Sequence, residues 1–182
     1  MDQLRDLLVA DLQDLLHAEM QLTQALPQMA EAANHPKLKE AFTKHLQQTE
    51  GHVERLKSAF ELLGEKAQPK PCKGIKGLIE EGQETIEDNE EQEELAADLA
   101  LIGAAQKVEH YEISGYGTAR CLARQIGERD VATLLSRNLG EEESSDYLLT
   151  ELSKPLMQEA SSIDNSSART APAAKPKSQR AQ

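Results

Sequence analysis

The chain has no tryptophan, two phenylalanines and three tyrosines among 182 residues. A chain so poor in aromatic residues, and rich in Leu, Ala, Glu and Gln, favours helices over sheets. Cysteine is scarce too. Cys72 and Cys121 match no metal-binding or redox spacing and read as reduced thiols of a cytosolic protein. No apolar run approaches the roughly 20 residues of a membrane span. The stretch from Met1 to Asp6 lacks the basic and then apolar regions of a secretory signal, so a cytoplasmic location is expected. Positive charge is also short. The formal net charge is -12, and residues 161–182 hold four basic residues and one acidic, so the rest carries about -15. Such a body repels nucleic acid and anionic membranes, and neither is expected as a partner.

What the chain does have is a repeated helical pattern. Leu8, Leu12, Leu15, Glu19, Leu22, Leu26, Met29 and Ala33 form one stripe, and Leu38, Phe42, His45, Thr49, His52, Leu56, Ala59 and Leu63 a second. Leu95, Leu99, Ile102, Ala105, Glu109, Glu112, Tyr116 and Ala119 form a third, and Val131, Leu135, Asn138, Glu142, Asp146, Leu149, Leu152 and Leu156 a fourth. Spacings of three and four put each set on one helical face. A charge on a core-facing stripe is costly unless it is paired or bound to metal. Four stripes interrupted near their middles point to one shared site.

The spacing predicts helices over about 3–33, 36–63, 90–126 and 129–159, with a bend at Pro27. Pro36 suits a first helical position, and Gly64 and Gly127 suit helix ends. Residues 65–73 carry Pro69 and Pro71 and read as extended, followed by a short helix with Ile75, Leu78, Ile79 and Ile86. Residues 80–94 hold nine acidic residues and no basic one, and read as a solvated face. Residues 1–160 form one helical domain, and the Ser-, Ala-, Pro- and Lys-rich residues 161–182 a disordered basic tail. Short turns make helices one and two antiparallel, and likewise three and four. The middle connection is long enough to cross a bundle of about 45 Å, so the expected class is all-α: a ferritin-like four-helix bundle with a crossover between its second and third long helices.

Counted from the turns, Glu19, Gln48, His52, Glu109, Glu112, Glu142 and Asp146 fall within about 8 Å along the bundle axis. Glu109 with Glu112, and Glu142 with Asp146, each share a face. Taken singly, Glu19 reads as a boundary residue and His45 and His52 as hydrogen-bonded core histidines. The common level is what makes them a candidate set. Crowded carboxylates repel and bind protons, and two divalent cations remove most of that repulsion. Carboxylate oxygens with one or two imidazoles suit iron or manganese, and zinc less specifically. Tyr116, one turn beyond Glu112, is either a packing residue or a hydrogen-bond partner of a carboxylate.

The stretch Ala104-Ala105-Gln106-Lys107-Val108-Glu109-His110-Tyr111-Glu112-Ile113, continuing to Gly117-Thr118-Ala119, resembles the YciE/YciF family of ferritin-like proteins. Ala18-Glu19, Gln21-Leu22 and Ala25-Leu26-Pro27 are similar as well, as are His45-Leu46, Thr49, Gly51, Val53-Glu54-Arg55 and Gly77-Leu78-Ile79-Glu80-Glu81. The resemblance covers about residues 4–158. It implies a four-helix ferritin-like fold, homodimers, a di-iron site and a loose link to bacterial stress responses. One departure matters. The family commonly has glutamates at the positions of Gln47 and Gln48, and a glutamine at that of His52. Gln48 is a neutral amide where a bridging carboxylate is expected, and His52 offers a nitrogen ligand instead.

Two functions of different classes follow. In the first, a metal-dependent oxidoreductase binds ferrous ions at the carboxylates, and oxygen or peroxide takes their electrons. Tyr116 then tunes the pocket or quenches radicals, and the electron partner is external because no cysteine cluster is present. In the second, motivated by Gln48, the bundle is a non-catalytic scaffold acting through interaction.

Overall fold

The computed structural model describes residues 2–88 and 93–170. Every regular element among them is a helix: α1 (Asp2–Ala32), α2 (Pro36–Leu63), α3 (Lys73–Asp88), α4 (Glu94–Gln125) and α5 (Arg129–Thr170). None is long and apolar enough to cross a membrane.

The turns between helices follow from local chemistry. Pro36 opens α2, where its missing N–H costs nothing, and the His35 side chain accepts from the N–H of Lys37 at 3.2 Å. Gly64 and Gly127 end α2 and α4 with φ of 68° and 87°, a left-handed backbone that favours glycine. The α1–α2 turn is also held from a distance. Asp98 of α4, buried, accepts from the N–H groups of Asn34 at 2.8 Å and His35 at 2.7 Å.

α1 packs on α2, α2 on α5, α5 on α4 and α4 on α1, while α3 lies against α1 and α4. The apolar stripes make two separate cores. One joins Leu8 and Leu12 of α1 to Leu56 and Phe60 of α2, Ala119 and Ala123 of α4, and Val131 and Leu135 of α5. The other joins Leu22 and Leu26 to Leu38 and Phe42, Leu101 and Ile102, Leu149 and Leu156, with Ile75 of α3. Each fully buried Leu or Phe contributes about 1.5–3 kcal/mol. Along each stripe, the residues between the two cores are buried and polar: Glu19, His45, Thr49, His52, Glu109, Glu112, Asn138 and Glu142.

Two boundaries differ from expectation. The segment expected as a tail from Ser161 overlaps α5, which continues to Thr170. Residues 161–169 contain no Gly or Pro, and the first breaker is Pro172, so local chemistry does not stop the helix earlier. Residues 171–182 lie outside the described residues. The helix expected from about residue 90 starts at Glu94, and residues 89–92 are likewise outside. The expected short helix is α3, 16 residues long. It carries Glu80, Glu81, Glu84, Glu87 and Asp88 exposed, so this part of the acidic run is a solvated face.

Candidate metal centre

The polar layer draws its donors from all four long helices. α2 supplies His45 and His52, two turns apart on its inner face, and α4 supplies Glu109 and Glu112, one turn apart. α1 supplies Glu19, and α5 supplies Glu142. Their ligand atoms form two groups, each with all its atoms within 4.8 Å of one another: His45, Glu109, Glu112 and Glu142; and Glu19, His52 and Glu142. Glu142 belongs to both. Its Oε1 lies 2.8 Å from His52 Nδ1, and its Oε2 lies 3.5 Å from His45 Nε2. His45 Nε2 is 3.3 Å from Glu109 Oε1, and His52 Nδ1 is 3.2 Å from Glu19 Oε1.

A second set of residues holds these donors in place. The Tyr116 hydroxyl, fully buried, donates to Glu19. Ser145 Oγ donates to Glu109 Oε1 at 3.1 Å. The other nitrogen of His52, Nε2, lies 3.0 Å from Glu141 Oε2. Arg55 donates to both Glu141 and Asn138, fixing that carboxylate against α2.

Burial dominates the electrostatics. It pushes Glu109 up to about 8 despite His45 beside it, with Glu142 adding to the rise. Burial, followed by repulsion from Glu19, Glu142 and Glu109, holds Glu112 well above the usual carboxylate range. Burial also raises Glu142, with Glu19 reinforcing it and His52 opposing it. For His52, burial alone would lower the pKa, but Glu142 and Glu19 together raise it to about 10. Burial likewise acts against ionisation of Glu141, yet Arg55 and His52 keep its carboxyl below the usual range. Four glutamates therefore crowd one dry layer. Fully ionised, they would carry the charge that balances two divalent cations.

The donors fit such ions. Glu19 Oε2, His45 Nδ1, Glu109 Oε2 and both oxygens of Glu112 are buried without a hydrogen-bond partner among the described residues, while His52 Nδ1 and the Glu142 oxygens face only other donors of the layer. Unpaired buried polar atoms are costly, and an oxygen–nitrogen set of this kind suits iron, manganese or zinc. The residues that keep these unpartnered atoms are members of the two donor groups.

Of the residues expected at the site, Glu19, His45, His52, Glu109, Glu112 and Glu142 come together, with Tyr116 behind Glu19. Asp146 does not join them. Its carboxylate accepts from Gln106 Nε2 at 2.9 Å and lies 3.4 Å from the exposed His110. Four residues advance a helix by about 6 Å and turn it by about 40°, enough to carry Asp146 out of the layer to the α4 side. Gln48 is half-buried on α2. Sequence reasoning missed Glu141 and Arg55. Glu141 sits one position off the α5 stripe, where periodicity assigns it to solvent, and only the approach of α2 gives it partners.

Fold and layer together define an all-helical protein with a buried carboxylate–histidine centre suited to divalent metal. The domain family described as DUF892, domain of unknown function, matches residues 3–162. The chain belongs to this family, which is that of YciF. Protein YciF of Escherichia coli K12 is 44% identical over 153 residues, covering 84% of this chain and 91% of the relative. The crystal structure of the E. coli stress protein YciF matches with a TM-score of 0.82 and 42% identity, covering 87% of this chain and 99% of that one. YcfI from Rhodopseudomonas palustris, for which a structural role has been suggested, matches at 0.77 and 39%, covering 81% and 92%.

Proposed function

We propose that the chain is a ferritin-like four-helix bundle with a di-metal centre, in which α3 lies on the crossover joining parallel helices α2 and α4. Support for the topology comes from the two cores, each of which takes opposite ends of α1 and α2 but like ends of α2 and α4. The observation that carries the function is the pair of donor groups sharing Glu142. His45, Glu109 and Glu112 would hold one ion, and Glu19 and His52 the other, with Glu142 between them. Iron is the first choice, with manganese or zinc as alternatives. When bound, two ferrous ions would supply the two electrons that, with two protons, reduce dioxygen to hydrogen peroxide.

The chain's own residues do the positioning. Tyr116 orients Glu19 by donating to it, and Glu141 sets which nitrogen of His52 carries the proton. The apolar cores above and below keep bulk water from the layer. The activity is thus a ferroxidase-like oxidoreductase reaction with an external electron partner. A homodimer, a cytoplasmic location and a role in stress response, the setting named for E. coli YciF, go with this reading.

Elemental analysis of protein purified without chelators, with ferrous-dependent oxygen or peroxide consumption, tests it. Absence of both would favour the second reading, a non-catalytic scaffold. Gln48 favours that alternative, because α2 brings two histidines but no carboxylate to the layer.

A further inference from the structure

An apolar cavity runs from the surface to the metal centre beneath α3. It is narrow, about 40 Å³. Leu22 of α1 and Ile79 of α3 line its walls, Gln83 is exposed at its outer side, and His45 and Glu109 form polar points on its inner wall. These two side chains are more than nine-tenths buried, and each keeps an unpartnered atom, His45 Nδ1 and Glu109 Oε2. Gly82 sits on the α3 side. It is buried, yet a Cβ built on it meets no atom within 4 Å, so the space it faces is open.

Size and polarity narrow the occupant. Pockets for drug-sized ligands run to about 300–1,000 Å³, far larger than this one. A water molecule needs only about 10–15 Å³ by this measure, but it also needs two to four polar partners. Walls of Leu, Ile and Ala carbons give it few, and the unpartnered His45 Nδ1 and Glu109 Oε2 are buried with almost no surface exposed to it. Apolar cavities stay dry and take up apolar atoms or molecules instead. We propose that this cavity is a binding site for a small apolar molecule, dioxygen, which it delivers to the His45–Glu109 edge of the centre. The inference rests on the proposed function for its choice of dioxygen, and on the cavity alone for its choice of an apolar guest.

Xenon is the probe, because it binds apolar cavities of this size without any metal chemistry. Crystals pressurised with xenon should show it between Leu22, Ile79 and Gly82. Gly82 is not itself a metal donor, and a Cβ on it meets no atom within 4 Å, so Gly82→Leu should place its side chain in the cavity and abolish the xenon peak. Gly77→Leu is the control: Gly77 lies exposed on the same helix with free space around its Cβ, and this variant should keep the peak. Ferrous binding should be equal in all three proteins, while ferrous-dependent oxygen consumption should fall at least five-fold in Gly82→Leu alone. No xenon in the parent cavity, or xenon retained in Gly82→Leu, overturns the proposal. So does oxygen consumption by Gly82→Leu at the parent's rate. If no protein binds ferrous ion, the di-metal reading fails and dioxygen falls with it, while the xenon maps still decide whether the cavity takes an apolar guest.

Discussion

Glu141 reaches across from α5 to His52 on α2, its Oε2 3.0 Å from the histidine's Nε2. The inner nitrogen of the same ring, Nδ1, faces Glu142 and Glu19. One ring thus has an outer carboxylate that sets its orientation and an inner nitrogen turned towards the donors of the layer. Arg55 holds Glu141 in turn.

That relationship predicts the effect of losing Glu141. Outer-shell partners of metal ligands are worth about 10–100-fold in affinity. Glu141→Ala should therefore weaken ferrous affinity by about that factor while leaving the helical circular dichroism spectrum intact. Isothermal titration under anaerobic conditions measures it. An unchanged affinity would mean that Glu141 does not orient His52 for binding.

Metal bound at the same layer would be linked to stability. At a free concentration 100 times the dissociation constant, metal adds about 2.7 kcal/mol to folding stability. For a chain of this length that is roughly 5–10 °C in melting temperature. Ferrous or manganous ion should raise the melting temperature, and chelation should lower it. Glu112→Ala should abolish the response and can stabilise the metal-free protein by relieving repulsion. Glu50→Ala should respond like the parent, because Glu50 is exposed on the outer face of α2. Equal metal-induced shifts in Glu112→Ala and the parent would refute the centre.

The pH dependence of the metal-free protein carries a defined sign. Glu109 ordinarily ionises near 4.5 and in the fold near 8, so between these values the folded state binds more protons than the unfolded one. Stability then falls as pH rises through that interval. His52, raised from 6.5 to about 10, acts in the same direction across the higher window. In chelator, the melting temperature should drop from pH 5 to pH 8. Glu109→Gln should flatten the slope, and bound metal should also flatten it by displacing the protons. A melting temperature that climbs steadily over this range would contradict the burial of ionisable glutamates.

Asp98 gives a prediction away from the metal. Its two oxygens take the N–H groups of Asn34 and His35, fixing the turn that sets the depth of His45 against Glu19. Hydrogen bonds to a charged group contribute about 1.5–3 kcal/mol. Asp98→Ala should lower the melting temperature by roughly 3–12 °C. Asp98→Asn should lose less, since one amide oxygen can still accept. Thermal denaturation followed at 222 nm reads both.

Helical periodicity is local, and the features that depend on it were legible in the sequence. The stripes placed Glu19, His45, His52, Glu109, Glu112 and Glu142 inward, and turn counting put five of these six at one depth, because a helix has a fixed rise and pitch whatever surrounds it. The same arithmetic admitted Asp146, since it cannot tell a residue on the seam from one a few tens of degrees beside it. Tertiary packing decided that. Gln106 on α4 takes Asp146, while Arg55 on α2 takes Glu141, which the pattern had assigned to solvent. The Asp98 clasp and the cavity beneath α3 arise the same way, from contacts between residues far apart in the chain. Such contacts depend on how helices are rotated and spaced against one another, and no local repeat carries that information.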